Sequence, residues 1–93
     1  MDIHRTDNGR KGKFFIEKDG EEAAEMTYTM AGDTRMIIDH TGVEYVLRGT
    51  GAGKRLVEAG VEYARENSLT VLPLCPFAKA IIDKTPEFQD VLK

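Results

Sequence analysis

From Arg48 to Arg55 the chain reads Arg-Gly-Thr-Gly-Ala-Gly-Lys-Arg, three glycines alternating with small residues and flanked by cations. Helix-forming residues follow at once, over residues 56–66. Glycine has no Cβ, so a ligand can come up against the backbone, and positive φ carries little cost. The first N–H groups of a helix have no intrahelical partner, and the helix dipole adds partial positive charge there. A loop of this kind feeding a helix N-terminus predicts an anion site, with phosphate the natural ligand. Arg48, Lys54 and Arg55 would add charge, Lys54 more directly because it lies inside the turn. The plainer alternative is a flexible turn with surface cations, but a turn rarely needs three glycines. Two further residues can do chemistry. An imidazole's unperturbed pKa lies near neutrality, which suits His40 to general base work; otherwise it is a strand-end histidine satisfied by hydrogen bonds. Cys75 precedes Pro76, a residue at home in the first helical turn. A thiol at a helix N-terminus loses its proton more readily, which suits a nucleophile or an acid. Its other reading is a small buried hydrophobe.

The elements that must position these residues change character at the glycine loop. Residues 2–6 form a possible short strand, and Asp7-Asn8-Gly9 is a turn signal. Lys13-Phe14-Phe15-Ile16-Glu17 reads as a strand, and Asp19-Gly20 as a hairpin turn. The return strand, residues 22–30, alternates Ala24, Met26, Tyr28 and Met30 with more polar residues. Residues 34–43 form a third strand. Leu56, Val57, Gly60, Val61 and Ala64 then make a helical stripe, with Glu58, Glu62, Arg65 and Glu66 opposite. Tyr28 and Tyr63 are expected in the core. Residues 69–74 read as a strand that must be an edge or splay apart at Pro73. Residues 77–83 form a helix, and Thr85-Pro86-Glu87 restarts a last short one.

The class is α+β, an antiparallel meander followed by a β-loop-α-β unit and a C-terminal helix. If the strands of that unit pair, they are parallel with a right-handed crossover. This brings His40, the glycine loop and Cys75 to one sheet edge.

Composition narrows the function. Ninety-three residues fit one domain, taken as 1–93, with one core. Net charge is −3, against a general nucleic-acid binder. No apolar run approaches the roughly 20 residues of a membrane span. The first 13 residues are polar and lack a signal peptide's apolar core. A single cysteine excludes an internal disulfide, and a cytoplasmic location is expected. Cys75, His4 and His40 are too scattered for a structural metal.

The glycine stretch fails as a P-loop, because Arg48 and Arg55 occupy the positions of the first Gly and the Mg²⁺-binding Ser or Thr. It fails as a dinucleotide fingerprint, because Lys54 replaces the third Gly. Arg48-x-x-Gly51-x-Gly53 resembles instead the acetyl-CoA signature of GNAT-type N-acetyltransferases. His40-Thr41-x-Val43, Leu47-Arg48-Gly49, Tyr63-Ala64-Arg65 and Pro73-Leu74-Cys75-Pro76-Phe77 extend the resemblance, in order, to the small single-domain members of about a hundred residues. It covers nearly the whole chain, from Phe14 to Leu92.

The resemblance implies a GNAT-like mixed sheet with coenzyme A in a cleft between two splayed strands. Backbone N–H groups of Arg48, Gly49, Thr50, Gly51, Ala52, Gly53 and Lys54 would cradle the pyrophosphate. The strand holding Thr41 and Val43 would pair with the pantetheine arm, and the thioester would lie near His40 and Cys75. The implied activity is acetyl transfer from acetyl-CoA to an amine acceptor, a small molecule or a peptide or protein. Neither nucleic acid nor membrane is an expected partner. Many such enzymes use a tyrosine acid in the final helix; here no Tyr follows Tyr63, which leaves Cys75 more room. The rival readings are a coenzyme A-binding module with weak or no transferase activity, and an interaction protein that keeps the fold only.

Overall fold

Alternation of apolar and polar residues folds the first half of the chain into a meander. In the computed structural model, which describes residues 2–92, β1 (His4–Asp7), β2 (Lys11–Lys18), β3 (Glu21–Ala31) and β4 (Arg35–Val43) pair antiparallel in chain order. Asp19 and Gly20, at φ 55° and 84°, make the tight turn between β2 and β3. A 3₁₀ turn (Tyr45–Leu47) leads from β4 toward the glycine loop, and helix α1 (Ala52–Glu66) carries the chain back. Strand β5 (Thr70–Pro73) then joins β4 in parallel, with Arg35 opposite Thr70 and Ile38 opposite Pro73. Helix α2 (Pro76–Lys84) and a 3₁₀ segment (Pro86–Val91) follow. The result is the expected α+β architecture with a mixed sheet of order β1-β2-β3-β4-β5.

The helical stripe is buried as its spacing demands. Leu56, Val57, Gly60, Val61 and Ala64 are covered, and the sheet supplies Phe14, Ile16, Met26, Met36 and Ile38. At Gly60 the helix comes so close that a Cβ would stand 2.7 Å from the Met26 terminal methyl. Tyr28 is in the core, and its hydroxyl accepts a hydrogen bond from Arg5 at 2.8 Å. Tyr63 packs at the core's margin under the Arg5 guanidinium. Arg65 reaches from α1 to both carboxylate oxygens of Asp90, at 2.7 and 2.9 Å, tying the C-terminal segment to the helix. The other sheet face keeps Phe15, Thr27 and Ile37 only half-buried.

Helix α1 begins at Ala52, inside the glycine motif. One local feature differs from the sequence reading: strand β4 is not a regular strand. Tyr28 pairs with Ile38, but Thr27 pairs with His40, so Asp39 is an extra residue in a β-bulge. The bulge resets the alternation. Thr41 pairs with the fully buried Met26 and shares its core face. His40 pairs with Thr27 and shares the open face.

Leu56 is fully buried, whereas Leu74 is 62% exposed. Leu56→Ala should lower unfolding free energy in urea by about 2–5 kcal/mol. Leu74→Ser should change it by less than about 0.5 kcal/mol. Equal effects would contradict this placement of the core.

Candidate active site

The site grows out of the end of the β4–β5 pairing. The N–H groups of Leu74 and Cys75 both donate to the Ile38 carbonyl, each at 3.1 Å, so the ladder advances no further along β4. The strands then part. Strand β4 runs on through Thr41 to Val43, while the other chain turns at Cys75, the N-cap of α2.

A cavity of about 460 Å³ lies in this fork. Its walls are Thr41 and Val43 of β4, Leu47, the loop residues Arg48, Gly49 and Gly51, the α1 residues Ala52, Gly53 and Lys54, and Phe77 and Ile81 of α2. Thr50 is not among them; its hydroxyl donates to the Leu47 carbonyl at 2.5 Å. Arg55 also lies outside. The N–H groups of Arg48 and Thr50 donate to the carbonyls of Tyr45 and Leu47. The first N–H of α1 to find an acceptor in the turn before it is that of Arg55, on Gly51. Among the described residues, the N–H groups of residues 51–54 therefore have no backbone acceptor outside the helix ladder, as at any helix start.

The glycines have separate reasons. Gly49 and Gly51 sit at φ 80° and 82°, and nothing lies within 4 Å of where their Cβ atoms would be. Gly51 is the α1 N-cap in the left-handed region. This is the geometry of a backbone open to a ligand. Gly53 is different: a Cβ there would meet the Phe77 ring at 2.4 Å. It makes room for a neighbouring side chain.

Cys75 is buried, at 5% exposure, and its Sγ hydrogen-bonds the Thr41 Oγ1 at 3.4 Å across the fork. Burial pushes the thiol up, but the hydrogen bond with Thr41 and the backbone N–H groups of Ala78, Phe77 and Thr41 outweigh it. Cys75 therefore ionises more readily than an ordinary thiol. The sulfur does not close a well-formed helix cap; Thr41 is its main partner.

His40 does not meet Cys75. It lines a separate hollow of about 330 Å³ on the open sheet face, with Glu22, Glu25, Gly42 and Glu44. The expected gathering of His40 and Cys75 at one edge is thus only partly realised, because the bulge at Asp39 sends them to opposite faces of β4. Sequence reasoning met Leu47 and Phe77 only as parts of a motif and did not single out Ile81; none was expected in the cavity wall. Phe77 and Ile81 stand four apart on α2, a spacing that puts them on one helix face.

Comparison with known proteins places this architecture. Residues 13–91 match the family model described as GCN5-related N-acetyl-transferase. The solution structure of a GCN5-like candidate N-acetyltransferase from Staphylococcus aureus is 40% identical, with a TM-score of 0.77, covering 99% of this chain and 87% of that one. The ribosomal-protein-alanine N-acetyltransferase of Brucella melitensis biovar Abortus 2308 is 17% identical at TM-score 0.63, covering 92% of this chain and 64% of that one. The ribosomal-protein-S18-alanine N-acetyltransferase of Escherichia coli is 16% identical at TM-score 0.69, covering 84% and 53%. The last two share the fold, and this chain spans only about half to two thirds of their length. No protein of curated function matches the sequence. The chain belongs to the GCN5-related N-acetyltransferase family, and it is an acyltransferase by that membership.

The Gly53–Phe77 contact can be tested directly. Gly53→Val should cost about 1–3 kcal/mol by forcing the ring off its seat. Adding Phe77→Ala should recover part of that loss, so the double variant is less destabilised than the sum of the two singles. Strict additivity in thermal or urea unfolding would show that the two residues do not compete for space.

Proposed function

We propose that this chain is an acetyl-CoA-dependent N-acetyltransferase acting on an amine acceptor, a small molecule or a peptide or protein amine. The observation that carries the reading is the pair of left-handed glycines, Gly49 and Gly51, with open space in place of their Cβ atoms at the start of α1. They border a cavity that extends to Thr41, the partner of Cys75. In this reading the N–H groups of residues 51–54 hold the pyrophosphate, with Lys54 and Arg48 supplying charge at the rim. Val43, Leu47, Phe77 and Ile81 give the pantetheine arm an apolar wall. Acetyl-CoA supplies the activated acetyl group.

The division between faces assigns roles. His40, on the open face and outside the cavity, takes the acceptor amine's proton through water across the fork. Cys75, on the cofactor face, works on the acyl group. Its lowered thiol value favours the nucleophile: the Cys75 thiolate attacks the thioester carbonyl and expels coenzyme A as its thiolate, and the amine then attacks the acetyl-Cys75 carbonyl, gives up its proton and releases the Cys75 thiolate. The alternative role, protonating the departing coenzyme A thiolate, needs no acetyl-enzyme. A coenzyme A-binding module without turnover is the remaining rival.

Two experiments test this reading. A time course with labelled acetyl-CoA should leave label on the wild-type protein and none on Cys75→Ala, and an amine screen should show turnover that falls in His40→Ala. Turnover unchanged in both variants would remove both residues from the mechanism; coenzyme A binding without turnover on any amine would favour the binding module. Separately, Gly51→Val should weaken coenzyme A binding by about tenfold or more, since a β-branched side chain is strained at this φ and fills the approach to the backbone. Unchanged affinity by calorimetry would defeat the cradle assignment.

A further inference from the structure

We propose that Thr41 is the positioning residue of the Cys75 thiol, aimed across the fork by the bulge at Asp39. The geometry rests on three observations. The first is the register of β4: Tyr28 opposite Ile38 and Met26 opposite Thr41 leave one more residue on β4 than on β3, which turns Thr41 toward the core face. A regular strand would put His40 on the face of Met36 and Ile38, and Thr41 on the other. The second is the contact itself, Sγ to Oγ1 at 3.4 Å. The third is the state of the Thr41 hydroxyl. Among the described residues it makes no other side-chain hydrogen bond, so its O–H is free to turn.

These facts give the hydroxyl two roles in sequence. While Cys75 is a thiol, its S–H donates to Thr41 Oγ1. When the proton leaves, the Thr41 O–H turns and donates to the thiolate. The same partner serves both protonation states, and the charged state gains more from it. The Thr41 hydroxyl is the side-chain partner of a sulfur that is otherwise buried.

Charged side chains are not needed for this effect. Asp39 and His40 of β4 lie on the open face, and Thr29 donates to Asp39 at 2.6 Å. Lys79 and Asp83 of α2 pair with each other at 2.8 Å. Arg48 and Lys54 belong to the opposite wall of the cavity.

The chain holds a single cysteine, so thiolate absorbance near 240 nm can be titrated on the intact protein, with Cys75→Ala as the blank for tyrosine. Thr41→Val should raise the proton affinity of Cys75 by about tenfold. Thr41→Ser should leave it within about threefold of wild type, because the hydroxyl is kept. Thr41→Ala removes the same hydroxyl with a smaller side chain and should repeat the rise, which covers a Val variant that folds poorly by circular dichroism. Val and Ala curves that superimpose on wild type would overturn the assignment. The catalytic meaning of this contact rests on the acyl-transfer reading above, and the titration separates the two. A raised thiol midpoint in the Thr41 variants, with acetyl label that persists in Cys75→Ala, keeps Thr41 as the partner and overturns the nucleophile. An unchanged midpoint with labelling intact overturns Thr41 and leaves the nucleophile standing.

Discussion

The Ile38 carbonyl decides where the sheet stops being a sheet. A parallel ladder continues only while each strand offers donors in register. The N–H groups of Leu74 and Cys75 both fall on that one oxygen, and neither reaches the next acceptor along β4. Beyond it the strands have no bonds to keep them together. Everything used at the site depends on this parting: the cavity in the fork, the free edge of β4 beyond Ile38, and the place where Cys75 starts α2. Pro73 costs this ladder nothing, because its nitrogen faces away from β4; the cleft opens where the chain turns out of the strand at Cys75.

The glycine stretch carries two different physical demands within a few residues. Gly49 and Gly51 are there for conformation, since the loop must turn through the left-handed region before α1 begins. Gly53 is there for volume, since it is buried in α1 beneath the Phe77 ring. A motif written as spaced glycines hides this difference. The first two face empty space that a ligand can fill. The third sets α1 against the Phe77 ring of α2, so the width of the cavity depends on this helix contact as well as on the loop.

Most of the fold was legible because its signals are periodic or local. The alternation through Ala24, Met26 and Tyr28 marks β3, and the stripe from Leu56 to Ala64 marks α1. Asp19-Gly20 names its own turn. The edge position of β5 was legible through Pro73, and the Cys75 helix start through Pro76. The bulge was not legible. Met36-Ile37-Ile38-Asp39-His40 reads as an unbroken strand, and the extra residue shows only when β3 is laid beside it. That long-range pairing is why His40 was expected beside Cys75 and Thr41 was expected only to offer its backbone. Phe77 and Ile81 were missed as site residues for a similar reason, since an apolar face on α2 looks like core until the cavity is seen.

Both helices lie on one face of the sheet, and the bulge decides which β4 side chains join them. The site is thus specified by a count as well as by identities. A relative with the same His-Thr pair and the same cysteine, but one residue fewer between Ile38 and His40, would present histidine to the sulfur and threonine to the open face. In an alignment of such chains, a single-residue gap at Asp39 would mark an exchange of chemistry between the two sides of the strand, although every named site residue remained in place.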